Sequence, residues 1–369
     1  MTTDATVVIV QPYIPHYRVP FFQKLHAQLQ REAIVCVVLS GQPSGPQSDR
    51  RDASEGHAWS KSFHPRRFTV AGRTLDLGGS RPYWKEADAV ILGLQGTLLE
   101  AYLALLVGRP RRAVGLWGHV GSYVNAPNSL DRKLETWQAR SADRVFAYTP
   151  GGSRAAAEMG VSTDRVTTVM NSVDTSTLLR AYDHLSRASM NEWMASRQLI
   201  PGKTIAFVGG IDSSKRIDIL VQALDILWSH DPQIKLLLAG RGEQEHLLAR
   251  SIARGQTVNM GYVDDTKLAM LALAADLLAI PGRVGLIAVQ ALALGLPIAT
   301  TEYPFHAPEY EYLTPGQSVF TSKLEAEKYA ELLLELISAR RRVEPNVWRF
   351  PTIEEMVSNY SSGVVELLR

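Results

Sequence analysis

The chain has 369 residues, 46% hydrophobic and 21% charged, with a net charge of +2. That composition excludes a disordered chain, and so small a net charge makes no case for nucleic acid as a partner. The length exceeds one typical core and suits two domains, while a single cysteine, Cys36, excludes an internal disulfide and fits a reducing compartment.

The first strand is predicted at Thr6–Val10, a β-branched run of the kind found in parallel sheets covered on both faces. No charged and then apolar leader precedes it, so a cytoplasmic location is expected. The proline-punctuated loop Gln11–Pro20 follows, then a helix over Phe21–Arg31 and a strand over Ile34–Leu39 with Cys36 buried in it. The polar stretch Ser40–Lys61 reads as a mobile loop. Further strands are predicted at Ala89–Leu92, Arg112–Leu116, Arg144–Ala147 and Val166–Met170, with Thr149–Ser153 opening a helix. The longest apolar helix candidate, Leu98–Val107, is too short to span a bilayer. With the basic residues Arg109–Arg112 at its end it reads as a core helix, a peripheral membrane contact being the alternative. That cluster and Arg66-Arg67 are each either a solvated face or a contact for phosphates and anionic lipid.

The polar stretch Asp183–Gly202 reads as the connection to a second half that repeats the same grammar. Strands are predicted at Thr204–Val208, Lys235–Ala239, Val258–Met260 and Leu277–Ile280, each leading into a glycine-bearing turn. Strands alternating with helices imply parallel, doubly wound sheets. The expected domains are 1–182, 183–346 and a final helical segment, 347–369, able to pack back on the first domain. The most informative stretch is Pro281–Ile298: a glycine turn, a buried helix stopped by Gly295-Leu296-Pro297, and another strand. A glycine turn opening a helix presents free amides and the positive end of a dipole, which suits a phosphate; the plainer alternative is a tight turn in an ordinary α/β unit.

Five motifs in order resemble those of the retaining, nucleotide-sugar-dependent glycosyltransferases of the GT-B fold, in the large family-four group. They are Phe207–Ala223, Leu238–Glu243, Asn259–Val263, Pro281–Pro297 and Glu309–Gly316. The resemblance covers most of residues 204–320. It implies an α/β chain of two Rossmann-like doubly wound domains facing across a cleft, with acceptor bound by the first and donor by the second.

The resemblance gives individual residues roles. Lys215 would set an ammonium against the donor diphosphate as the leaving group gains charge, the alternative being a solvated lysine. Gly285 and Leu286 would offer backbone amides to the same phosphates. The donor-binding set is Gly209, Gly210, Lys215, Gly240, Arg241, Gly261, Tyr262, Val263, Gly282, Arg283, Val284, Gly285, Leu286 and Gln290. Two glutamates separated by seven residues are usual in the family, and Gly282 and Gln290 stand at those positions. Gly210 likewise stands where an arginine is usual, and Arg283 or Arg241 would supply the charge. His119, after Gly115-Leu-Trp-Gly118, would lie near the transferred sugar, a structural histidine being the alternative. His16, Tyr17 and Arg18 would border the acceptor, with Arg18 on a phosphate or carboxylate and Tyr13 and Tyr17 on sugar rings, or else pack on the adjacent helix. Glu309, with His306, would compensate for Gly282. His119, Lys215 and Glu309 form the expected catalytic set.

The implied activity is transfer of a sugar from a nucleotide diphosphate sugar to a hydroxyl of a glycan, lipid-linked or small-molecule acceptor. Retention is expected, with the departing phosphate helping to deprotonate the acceptor. Neither an Asp-x-Asp triplet nor a His/Cys cluster with metal spacing occurs, so no metal or other cofactor is expected. The expected place is the cytoplasm, with the inner membrane face as the alternative. Two rivals stand: an epimerase or hydrolase acting on the nucleotide sugar itself, and a non-catalytic partner of an active transferase.

Overall fold

The computed structural model describes residues 5–43, 52–70, 73–108, 112–121 and 129–369. The chain divides into two compact units, Met1–Asp174 with Pro351–Arg369, and Thr175–Phe350. The division follows Asp174 rather than residue 182, and the return to the first unit comes at Pro351 rather than at residue 347.

In the first unit β1 (Ala5–Gln11) leads through a short 3-10 turn, His16–Arg18, to α1 (Val19–Arg31) and β2 (Ile34–Ser40). Then come β3 (Ser60–Ser62), the hairpin β4 (Arg67–Val70) and β5 (Arg73–Asp76), α2 (Arg81–Trp84) and β6 (Ala89–Gly93). The rest is α3 (Leu99–Leu103), β7 (Ala113–Gly118), α4 (Ser129–Ser141), β8 (Arg144–Ala147), α5 (Pro150–Glu158) and β9 (Val166–Thr168). Seven parallel strands are ordered β3-β2-β1-β6-β7-β8-β9.

Successive side chains of a strand point to opposite faces, and β1 uses both. Val7 and Ile9 enter one apolar cluster with Phe21, Phe22 and Trp117, and Val8 and Val10 enter another with Trp84, Leu92 and Leu116. The C-terminal helix, Ile353–Leu367, packs on α1 and β9. It sets Tyr360 against Phe21, Trp117 and Phe146. Cys36 is buried in β2, where burial pushes its thiol up to about 12.

The second unit opens with α6 (Ser176–His184) and α7 (Arg187–Ser196). It continues through β10 (Thr204–Val208), α8 (Ile217–His230), β11 (Lys235–Ala239), α9 (Ala249–Ala253), β12 (Thr257–Gly261) and α10 (Asp265–Ala274). Then come β13 (Leu277–Ala279), α11 (Ile287–Leu294), β14 (Ile298–Thr301), β15 (Val319–Ser322) and α12 (Ala326–Ala339). Its six parallel strands run β12-β11-β10-β13-β14-β15. Counted within the unit, that order is 3-2-1-4-5-6, the order of the doubly wound nucleotide-binding sheet.

Two expectations are corrected. The stretch Asp183–Gly202 is not a linker, because α7 lies inside it and packs on α10 of its own unit. Its polar residues cover the outer face, while Met190 is buried. Within Ser40–Lys61, residues 44–51 lie outside the described ones, but the remainder is anchored. Trp59 packs on Phe22 at 5.7 Å, and β3 extends the sheet beside β2. Of the basic cluster, residues 109–111 also lie outside the described ones. Arg112 turns inward, its guanidinium 5.0 Å above the Trp84 ring and donating to the Trp84 carbonyl.

Candidate functional site

In the second unit the strand order reverses at β10, between β11 and β13. Ligands of such sheets bind outside the carboxyl ends of the strands at this reversal. The loops leaving there span residues 209–216 and 280–286, and they are tied directly together. The Arg283 amide donates to Ser214 O at 2.8 Å, and Lys215 Nζ donates to the Arg283 carbonyl. Asp212 shapes the first loop by accepting from the Ser214 amide at 2.9 Å and the Ser214 hydroxyl at 2.5 Å. Arg216 follows in the left-handed region at φ 54° and pairs with Asp218 at 2.7 Å, a non-glycine strain of the kind that clusters at functional sites.

Gly282 closes this contact. A β-carbon there would lie 2.3 Å from Ser214 O and 2.7 Å from Lys215 Cα. Its carbonyl accepts from Thr300 Oγ1 at 3.4 Å. Gly282 therefore welds two loops rather than presenting a surface to a sugar. Val284 is also withdrawn from the expected donor set. Its side chain is buried, its amide donates to His306 Nδ1 at 3.1 Å, and its carbonyl accepts from Ala307 N at 2.9 Å.

Gly285 and Leu286 lie at the entry of α11, whose first turn closes by Ala288 N to Gly285 O and Val289 N to Leu286 O. The amides of Gly285, Leu286 and Ile287 are those a helix leaves without an intrahelical acceptor. They carry the positive end of the α11 dipole, and Lys215 and Arg283 belong to the two tied loops that precede it. Gln290 is half-buried further along the same helix. The result is a cationic, amide-bearing corner suited to an anion.

The remaining expected donor residues lie on neighbouring loops. Gly209 donates to Ala239 O at 3.0 Å, and Gly240 donates to Gly261 O at 2.8 Å. Gly240, at φ +148°, approaches so closely that a β-carbon would lie 1.9 Å from Gly209 O. Gly210 and Arg241 are exposed, and the Arg241 carbonyl accepts from Ile211 N. Tyr262 is 65% exposed beside half-buried Val263. Glu309 is buried, in the 3-10 helix Pro308–Tyr312 packed against α11. His306 stacks on Tyr310 at 4.0 Å. Burial, with the charges of Lys215 and Arg283, pushes its imidazole down to about 4, against a hydrogen bond with the Thr301 backbone that acts the other way.

In the first unit a second group forms at the carboxyl ends of β1, β7, β8 and β9. His119 is exposed at the end of β7, its ring 4.4 Å from Tyr148, which follows β8. His16 and Tyr17 are exposed and Tyr13 is buried. Arg18 is not poised for a ligand. It is 5% exposed, its guanidinium 5.4–6.0 Å from the ring centres of Tyr17, Phe21, Trp117 and Tyr148. It donates to Asn171 Oδ1 at 2.5 Å and to Met356 Sδ at 3.5 Å, so its work is to fix this edge. Tyr148, which packs on His119, and Asn171, which holds Arg18, are residues of this edge that the sequence motifs do not single out. The signal that could find them is their place just after predicted strands, where parallel sheets display ligand groups.

Among the described residues no group of three or more His, Cys, Asp or Glu could hold a metal ion. No described helix is long and apolar enough to cross a membrane.

Known proteins share this fold. Residues 202–339 match the family described as Glycosyl transferases group 1. The chain is 30% identical over 195 residues to the D-inositol 3-phosphate glycosyltransferase of Nocardia farcinica, covering 48% of this chain and 42% of that protein. The curated alignments span 29 to 56% of the relatives' own length. Among solved structures it is similar to Anabaena Alr3699/HepE in complex with UDP, with a TM-score of 0.63, 14% identity and coverage of 98% and 97%. The UDP-GlcNAc 2-epimerase of Methanocaldococcus jannaschii superposes with a TM-score of 0.60 at 12% identity, covering 97% and 99%. Residues 202–339 are therefore a Glycosyl transferases group 1 domain, carried in a chain of GT-B fold.

Proposed function

We propose that this protein is a glycosyltransferase that moves a sugar from a nucleotide diphosphate sugar to an acceptor hydroxyl, with retention of configuration and without a metal or other cofactor. The observation that carries this reading is the corner where Lys215 and the start of α11 are tied together through Arg283 at the strand reversal. A diphosphate leaving group gains charge as the sugar departs. An ammonium and oriented amides that are already in place stabilise that charge without reorganising, and such preorganisation supplies most of the rate enhancement of many enzymes. The same fixed positive potential serves in place of a divalent cation.

His119 and Tyr148, with exposed Tyr17 and His16, offer a polar aromatic face suited to a hydroxylated acceptor, whether glycan, lipid-linked or small molecule. Glu309 joins Lys215 and His119 in the proposed catalytic set, and Gly209, Gly210, Gly240, Arg241, Gly261, Tyr262, Val263 and Gln290 complete the donor-side surface. A peripheral contact at the inner membrane face goes with this reading. It is favoured by Leu106 and Val107, which are 66% and 59% exposed next to each other.

The test is donor turnover with and without acceptors. Sugar transfer dependent on an acceptor hydroxyl supports the reading. Consumption of donor without acceptor favours an epimerase or hydrolase, a reading kept alive by the shared fold. Nucleotide binding without turnover favours a non-catalytic partner, the reading to which Gly282 and Gln290, neither of them a carboxylate, lend weight.

A further inference from the structure

We propose that His306 is a positioning residue for the phosphate-binding turn: its Nδ1 accepts from the Val284 amide and so aims the next three amides, of Gly285, Leu286 and Ile287, at the donor diphosphate. This rests on the donor-site reading above and adds to it a residue that touches no substrate.

The turn is short and has few supports of its own. On one side Arg283 is held by Ser214 and Lys215. On the other, Val284 is the last residue before the amides that matter, and both its backbone groups are bonded to the segment 306–307. The Ala307 amide fixes the Val284 carbonyl and His306 fixes the Val284 amide, so the two bonds together set the rotation of the peptide planes that follow. An amide buried without an acceptor would instead relax by turning toward water or a carbonyl, carrying its neighbours with it.

The imidazole is itself held. Tyr310 stacks on it with centroids 4.0 Å apart and planes 6° from parallel, and Tyr303 meets it edge-on at 5.9 Å. An acceptor at Nδ1 requires the neutral ring with its proton on the other nitrogen. A protonated ring would turn Nδ1 into a donor facing the Val284 amide. Burial opposes that protonation most, and Lys215 and Arg283 add to it, against a hydrogen bond with the Thr301 backbone that acts the other way. Burial first, and the cations that serve the phosphate after it, thus keep the supporting histidine in its working form.

The experiment compares His306→Phe, which keeps a stacking ring but no acceptor, with His306→Asn, whose carboxamide oxygen can take the place of Nδ1. Two readouts are taken on the full chain. The first is hydrogen exchange at residues 283–287 without ligand; the second is calorimetric titration with UDP, GDP and ADP. The proposal predicts that His306→Phe speeds exchange of the Val284 amide and weakens the best nucleotide about 10-fold, the worth of one aligned hydrogen bond. His306→Asn is expected to stay within about threefold of the unsubstituted protein. Equal affinities for the two variants, with the unsubstituted protein binding, overturn the proposal and leave the donor-site reading standing. An unsubstituted protein that binds none of the three nucleotides overturns the donor-site reading, and the role of His306 toward phosphate falls with it. Exchange then decides the remainder: a Val284 amide equally protected in both variants shows that His306 does not support the turn either.

Discussion

The backbone of Lys215 lies so close to Gly282 that a β-carbon on the glycine would sit 2.4 Å from the Lys215 carbonyl carbon. Gly282 is thus occupied by a packing duty. Gly282→Ala must push the loop at 213–215 away from the turn at 281–284. It is expected to cost about 1–3 kcal/mol of stability, as overpacking does. Gly282→Glu, although it introduces a carboxylate, is expected to lower donor turnover as well as stability. Thermal unfolding and turnover of the two variants check this; a Gly282→Ala protein as stable as the parent would contradict the packing seen here.

Lys215→Met removes the ammonium but keeps much of the apolar stem. The expected result is a folded protein whose turnover falls about 10²–10³-fold, the scale for losing one oriented transition-state group. Lys215→Arg is expected to restore little, since a planar fork does not fit the place of a compact ammonium beside the Arg283 carbonyl. The check is steady-state turnover beside a melting curve for each variant.

Arg18→Met tests the opposite kind of role. The guanidinium is enclosed by four rings and bonded to Asn171, and its loss strips an anchor from the edge of the first unit. Stability is expected to fall by about 2–3 kcal/mol, in the range for buried charge-assisted hydrogen bonds. Acceptor KM, measured at a temperature where the variant is folded, is expected to change little. A large rise in KM with unchanged stability would return Arg18 to the acceptor site.

The strands are legible because a parallel sheet buried on both faces writes continuous apolar runs, and Arg144–Ala147, Thr204–Val208 and Lys235–Ala239 fall where their sequences predict. The helix α11 is legible from its glycine punctuation. Less legible are α7, whose polar surface imitates a linker, and β3, a three-residue edge strand with no apolar pattern to betray it. In the site, glycine and lysine positions follow from chain order, but the state of a side chain does not. That Arg18 is enclosed, that Val284 is bonded on both sides, and that His306 supports the turn depend on contacts between segments far apart in sequence.

The state of His306 also has a consequence for pH. Its pKa is held at about 4 in the folded chain, against the ordinary value of 6.5 that the unfolded chain should approach. Between those values the unfolded chain binds more protons, so stability falls as pH falls through the window from 6.5 to 4. Above 6.5 the group contributes no slope. The full contribution is at most about 3 kcal/mol. Denaturant midpoints at about pH 7 and about pH 5, either side of the ordinary histidine value, measure it for the parent and for His306→Asn. The variant should lose less stability on acidification; an identical loss in both proteins would contradict the neutral ring.

The most direct measurement is a titration of the intact chain with a panel of nucleotide diphosphate sugars, followed by product analysis with acceptors and without added metal, in the presence of a chelator. The expected result is that one donor binds, that binding and turnover fall in Lys215→Met, and that sugar appears on an acceptor hydroxyl with its anomeric configuration kept. Failure of every donor to bind, or turnover indifferent to Lys215, would contradict a donor site built on the corner at Lys215 and α11.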